Sequence, residues 1–147
     1  MTLGWHMMTD YSAVATYIWD ANHSFEMIRR SKACVINVPT FDLIDTVVAI
    51  GNCTGADADK FEQFGLTPVA ASHVDAPMIG ECVASFECDL EDASLVNKRG
   101  VFFWRVVAAH TAPTVKNPKT IHYRGQGEFM TAGPVVSRRS KFKPGNL

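Results

Sequence analysis

Cys82-Val83-Ala84-Ser85-Phe86-Glu87-Cys88-Asp89-Leu90 alternates with a period of two, the mark of a strand with one face on a core and the other in water. Cys82, Ala84, Phe86, Cys88 and Leu90 take the inner face; Ser85, Glu87 and Asp89 take the outer one. Asn97-Lys98-Arg99-Gly100 reads as a turn. Val101-Phe102-Phe103-Trp104-Arg105-Val106-Val107-Ala108-Ala109 then reads as the longest strand of the chain, rich in β-branched and aromatic residues. The two runs are expected to pair as antiparallel neighbours.

Upstream, residues 1–8 and 13–20 read as two more strands, with Asp10-Tyr11-Ser12 as the turn between them. Asn22-His23-Ser24-Phe25-Glu26-Met27-Ile28-Arg29-Arg30 is a short helix whose first turn is capped by the side chain of Asn22 or Ser24; Phe25 and Ile28 share its apolar face. Ala33-Cys34-Val35-Ile36-Asn37-Val38 is a nearly all-apolar run and reads as a buried strand stopped by Pro39. Thr40 caps a second helix, from Phe41 to about Ile50, with Leu43, Val47 and Ile50 inward and Gly51-Asn52 at its end. Cys53-Thr54-Gly55 is a turn, and residues 57–64 form a third short helix with acids in its first turn, ended by Gly65. Beyond Ala112 the composition signals loop, with apolar islands at residues 120–125 and at Phe129-Met130. Strands and helices do not alternate regularly, which disfavours a doubly wound parallel sheet. A closed or partly closed antiparallel barrel with helical inserts fits the order better.

The chain has 147 residues, a net charge of −1, 47% hydrophobic and 20% charged residues. That suits one domain over residues 1–147. The near-neutral charge offers no electrostatic case for nucleic acid or an anionic membrane as partner, and the basic run from Arg138 to Lys143 reads as a solvated terminus. The four cysteines, Cys34, Cys53, Cys82 and Cys88, contain no C-x-x-C pair; they read as reduced thiols of a reducing compartment, and the chain as cytoplasmic. The first eight residues lack the basic start and apolar core of a signal peptide, and no apolar run approaches a membrane span.

Two constellations bear on chemistry. A strand feeding the capped helix at residues 22–30 presents unpaired N–H groups with the positive end of the helix dipole behind them. Ser24, with Arg29 and Arg30 one or two turns on, is either a phosphate site or an ordinary helix start with two solvated arginines. Cys53 with His122 as its base is a weaker nucleophile candidate, because the two are far apart in sequence. The five histidines are scattered, with no metal-ligand spacing, and no metal site is expected.

Trp5-His6-Met7-Met8, Asn22-His23-Ser24-Phe25, Cys34-Val35-Ile36-Asn37-Val38-Pro39-Thr40, Gly51-Asn52-Cys53-Thr54-Gly55, Asp59-Lys60-Phe61 and Gly65-Leu66-Thr67-Pro68 follow one another in an order and spacing that resembles the flavin reductase-like family. Ala76-Pro77-Met78-Ile79, Glu87-Cys88, His122-Tyr123-Arg124-Gly125, Phe129-Met130 and Gly133 continue the likeness, which is strongest to the flavoredoxin-type branch and spans nearly the whole chain.

The resemblance implies a mainly β fold, an antiparallel Greek-key split β-barrel with short helical inserts, working as a homodimer with FMN near the subunit interface. It implies that Asn22, His23, Ser24 and Arg30 surround the FMN phosphate. Thr2, Gly4, Trp5 and His6 would lie along the isoalloxazine ring. Lys60 resembles the family lysine near the flavin, His122 and Phe129 resemble late residues that close over it, and Cys53 lies in a loop that faces it. Family members carry a further strand or two before the Trp5 strand, so the barrel is expected to be short at that edge. The implied activity is hydride transfer from NAD(P)H to FMN and on to an acceptor. The alternatives are a non-enzymatic FMN electron carrier and a flavin-free barrel.

Overall fold

The computed structural model describes residues 12–143 and 145, together with the backbone of residues 6–8. The expected strand pair forms its centre. β7 (Val101–Thr111) lies between β2 (Ala13–Tyr17) and β6 (Ala84–Asp92), with β1 (His6–Met8) outside β2 and β3 (Ala33–Val38) outside β6. Every pairing in this five-stranded sheet is antiparallel. The β6–β7 register shifts between Glu87 and Cys88 and again between Leu90 and Asp92. Such shifts bend a strand and add twist, which curls the sheet. Two short hairpins complete the described strands: β4 (Pro68–Val69) with β5 (Met78–Ile79), and β8 (Ile121–Gly125) with β9 (Glu128–Thr131).

Alternate residues of β7 supply the core. Phe102 and Trp104 are both fully buried; their rings are parallel with centroids 5.4 Å apart, and Phe25 meets Phe102 edge-on at 5.5 Å. Ring pairs of this kind add about 0.5–1.5 kcal/mol beyond the area they bury. Trp104 donates its indole N–H to the Thr16 hydroxyl at 2.9 Å, so the large ring enters the core without leaving a donor unpaired. Phe25 comes from α1 (His23–Ser31), which also lays Ile28 against this core and keeps Glu26, Arg29 and Arg30 outside, as the helical spacing predicts.

Several element boundaries differ from the expectation, each for a local reason. The strand expected to reach Asp20 ends at Tyr17, because Ile18 N–H bonds the Gly100 carbonyl at 2.8 Å and the chain then turns, Asn22 N–H bonding Trp19 O. Gly100 has φ +65°, and a Cβ there would stand 2.5 Å from the Ile18 carbonyl oxygen; only glycine fits this close approach. The expected turn before it contains the single helical turn α4 (Val96–Arg99). The helix expected from Phe41 is a 3₁₀ turn, Phe41–Leu43, followed by α2 (Ile44–Gly51), and Thr40 makes no side-chain cap but bridges Thr120. The third helix, α3 (Lys60–Phe64), starts later than Asp57 because Asp59 is its cap, accepting from Phe61 and Glu62 N–H. The late apolar islands are strands rather than loop, paired as the β8–β9 hairpin.

The largest correction concerns the outer face of residues 82–90. Glu87 is 0% exposed and Ser85 4%, because the segment around β4 and β5 covers that face. Glu87 accepts hydrogen bonds from the backbone N–H of Ser72, His73 and Val74 and from the Ser72 hydroxyl. His110 Nε2 stands 2.7 Å from it; since an ionised carboxylate only accepts, that nitrogen carries the proton. Burial pushes the Glu87 carboxyl up, but the donors of Ser72, His73 and His110 outweigh it and hold the carboxyl down at about 2. Strand β3, expected to be buried, is half-buried throughout, because it is the last strand of the sheet and borders a cavity.

Candidate functional site

A cavity of about 890 Å³ opens against β3. Its walls are mostly apolar: Ile36 and Val38 from β3, Val47 and Ile50 from α2, Phe61 from α3, and Trp104 from β7. Polar side chains are interspersed among them, including Thr16, Ser24, Asn37, Thr46, Lys60, Asp75 and His122. An apolar pocket of a few hundred to a thousand Å³ with a small set of placed polar groups is the usual form of a cofactor site.

The start of α1 lies at this cavity. Asn22 is the capping residue, with extended backbone, but its side chain makes no capping bond. Ser24 lines the cavity, and neither a cap nor any other described hydrogen bond occupies its hydroxyl. The side-chain cap expected from Asn22 or Ser24 is therefore not made; Phe25 N–H bonds the Asn22 carbonyl at 2.9 Å, and the Ser24 hydroxyl is left at the cavity wall. The Cys53–Gly55 turn, which does not itself line the cavity, packs beside the start of α1. A Cβ on Gly55 would meet His23 Cδ2 at 3.5 Å and Lys60 Cε at 3.9 Å, so residues distant in sequence, His23, Gly55 and Lys60, are neighbours here.

Lys60 is neither solvated nor free. Its ammonium donates to the Ile50 carbonyl at 2.8 Å and the Cys53 carbonyl at 2.5 Å. It thus caps the end of α2, where the helix dipole favours a cation, while its stem lines the cavity. Cys53 and His122 each engage another partner: the Cys53 thiol donates to the Ile50 carbonyl at 3.6 Å, and His122 Nε2 shares a bond with the Thr120 hydroxyl at 3.1 Å. The Cys53–His122 pair is not formed. His122 and Phe129 both line the cavity, Phe129 packing on Tyr123 with ring centroids 5.0 Å apart. Arg30 does not reach the site; it is exposed, 3.8 Å from Glu26, and Arg29 pairs with Glu26 as well. Of the first strand, Thr2, Gly4 and Trp5 lie outside the described residues, and His6 is placed by its backbone as the first residue of β1.

Two residues of the site had no sequence signal strong enough to single them out. Asn37 lines the cavity from a run otherwise apolar, and its Oδ1 accepts from Ile79 N–H at 3.0 Å and Ser85 hydroxyl at 2.7 Å. An isolated amide in an apolar strand was the available clue. Glu87 acts at one remove: by holding Ser72, His73 and Val74 it fixes the chain that continues into Asp75, Ala76 and Pro77, which form part of the cavity wall. Its alternation with Phe86 and Cys88 disguised it as a surface residue.

A curled antiparallel sheet with an apolar cavity against a helix start defines a half-barrel. The chain belongs to the flavin reductase-like family, whose flavin reductase like domain matches residues 1–131. An uncharacterised protein of Archaeoglobus fulgidus is 31% identical over 90 residues, 60% of this chain and 51% of that protein; the chain thus spans about half of this relative's length. The fold is that of the flavoredoxin of Desulfovibrio vulgaris, with a TM-score of 0.82 at 20% identity over 97% of this chain and 80% of that one. It is also that of an FMN-binding domain of a flavin reductases-like enzyme from Shewanella baltica, with a TM-score of 0.77 at 20% identity over 91% and 78% of the two chains. The split barrel expected from the resemblance is thereby confirmed. Among the described residues, no helix is long and apolar enough to cross a membrane.

Proposed function

We propose that the cavity binds FMN and that the protein is a flavin reductase-like oxidoreductase of the cytoplasm, taking a hydride from NAD(P)H and passing electrons to an acceptor. The observation that carries this reading is the unengaged Ser24 hydroxyl at the start of α1, at one end of an apolar cavity of about 890 Å³. A phosphate suits the helix start, and a flat, largely apolar ring system suits the remaining walls. FMN supplies two-electron chemistry at its ring when bound. The chain supplies the rest. The Ser24 hydroxyl and the N–H groups of His23 and Ser24 at the start of α1 would hold the phosphate. Lys60 fixes the Cys53–Gly55 turn beside it and places a positive charge at that end of the site. Ile36, Val47, Phe61 and Trp104 keep water from the ring. Thr2, Gly4, Trp5 and His6 complete the ring site on this reading, and a homodimer closes it.

An absorbance spectrum of the purified protein tests the reading, followed by acid release and identification of any yellow ligand. A flavin band that releases as FMN is expected; a protein that stays colourless with added FMN overturns it. The fold shared with a flavoredoxin supports a second reading, an FMN electron carrier without NAD(P)H activity. Anaerobic mixing with NADH and NADPH separates the two: bleaching of the flavin marks the reductase, and a persistent yellow colour marks the carrier.

A further inference from the structure

Cys34 and Cys88 stand directly opposite each other in the β3–β6 ladder. Opposed residues of antiparallel strands share a face, with Cα atoms roughly 4.5–5.5 Å apart. A disulfide spans Cα atoms about 4.4–6.8 Å apart, so the ladder holds this pair at a Cα separation that a disulfide can span. The side chains meet, since Cys34 packs against the core cluster that contains Cys88. Both are free thiols. Their exposure differs: Cys88 is fully buried, whereas Cys34 is half-buried and forms part of the cavity wall. One sulfur therefore faces whatever the cavity holds, and the other lies directly behind it. Cys53 and Cys82 have no such partner. Cys53 donates to the Ile50 carbonyl, and Cys82 lies before β6 with its thiol pushed up to about 11 by burial and by Glu81.

We propose that Cys34 and Cys88 are a redox pair, closing to a cross-strand disulfide and reopening by two-electron exchange with a carrier held in the cavity. On closing, two S–H bonds break and one S–S bond forms; the electron pair and two protons leave for the acceptor. On reopening, the S–S bond takes an electron pair and two protons from the donor. The acceptor is an oxidised flavin and the donor a reduced one; this identity rests on the FMN reading, whereas the pairing of the two sulfurs does not. The local polarity suits the step. A hydrogen bond from Cys34, ahead of burial and charge effects, pushes the Cys34 thiol up and holds the Cys88 thiol down. Cys88 in turn lies 3.5 Å from the Phe86 carbonyl. The hydrogen bond between the two sulfurs keeps them in contact, which is what closing to a disulfide requires. The pair stores a second pair of electrons beside the flavin.

The first test uses the flavin-free protein, oxidised with diamide, alkylated under denaturing conditions and mapped by mass spectrometry. Free thiols are expected to fall from four to two, with a single bridge joining the Cys34 and Cys88 peptides and dithiothreitol restoring all four. Cys53→Ser/Cys82→Ser keeps the bridge and Cys34→Ser abolishes it; Cys34→Ala repeats the result should the serine variant fold poorly. Four alkylated thiols after diamide, or a bridge between other cysteines, overturns the pair. The second test is an anaerobic dithionite titration of diamide-treated, FMN-loaded protein. Two electron pairs per flavin are expected for the parent and one for Cys34→Ser. A bridge that forms but adds no electrons to this titration overturns the exchange with the flavin. A protein that bridges but binds no FMN refutes the FMN reading and leaves the pair standing.

Discussion

Lys60 Nζ reaches back to the Ile50 carbonyl at 2.8 Å, so the first residue of α3 closes the last turn of α2. The same ammonium holds the Cys53 carbonyl, and the Cys53–Gly55 turn is thereby drawn against the start of α1. Lys60→Met keeps the apolar stem and removes the cation. It is expected to cost about 1.5–3 kcal/mol in a denaturant titration, the usual worth of a hydrogen bond from a charged donor. FMN affinity should fall as well. Unchanged stability would mean that the tie contributes nothing in solution.

Ser24 separates phosphate recognition from ring recognition. Ser24→Ala removes a hydroxyl with no described protein partner, so the melting temperature should hold. FMN binding is expected to weaken about tenfold, or ~1.4 kcal/mol, while riboflavin, which lacks the phosphate, binds as before. Calorimetric titration with both ligands reads the difference. An equal loss for the two would place Ser24 at the ring rather than at the phosphate.

The alternation of residues 82–90 and the apolar run of residues 101–109 made the central strand pair legible, because a ladder with one face on a core imposes a period of two. The same periodicity misled at Ser85 and Glu87. It reports only that two faces differ, and the covering segment that buries the second face is a short irregular hairpin with no periodicity of its own. At the site, the place of Ser24 at the start of a helix was legible, because a serine following a strand and opening an amphipathic run has a definite position. The engagement of Lys60 was not: a lysine reaching backbone carbonyls leaves no mark in composition or spacing. Cys34 and Cys88 looked unrelated for a similar reason, since only the β3–β6 register sets them opposite each other.

Glu87 makes stability depend on acid pH. Its carboxyl sits at about 2 in the fold, below the roughly 4.3 of an unfolded chain, so the unfolded state binds the proton more readily. The contribution of Glu87 is therefore full above about pH 5 and drains away as the pH falls toward 2. Glu87→Gln should lower the melting temperature by several degrees at neutral pH and flatten the loss of stability on acidification. FMN affinity should fall with it, since Asp75, Ala76 and Pro77 depend on this anchor for their place in the wall. Parallel acid melting curves for parent and variant would rule the carboxylate out as the source.

Thr16 carries the last test, because it joins the core to the cavity wall. Its hydroxyl is the acceptor for the buried Trp104 indole at 2.9 Å, and both residues line the cavity. Thr16→Val preserves shape and strand preference but leaves the indole N–H unpaired in a site that water does not reach. The expected cost is about 1–3 kcal/mol, the penalty of an unsatisfied buried donor, with a blue shift of Trp104 emission as its polar contact is lost. Thr16→Ser retains the acceptor and should keep the parent emission, losing only the packing of one methyl group, about 1 kcal/mol. If valine and serine variants melt together, the hydroxyl contributes nothing and Trp104 is held by its stacking on Phe102 and the surrounding core alone.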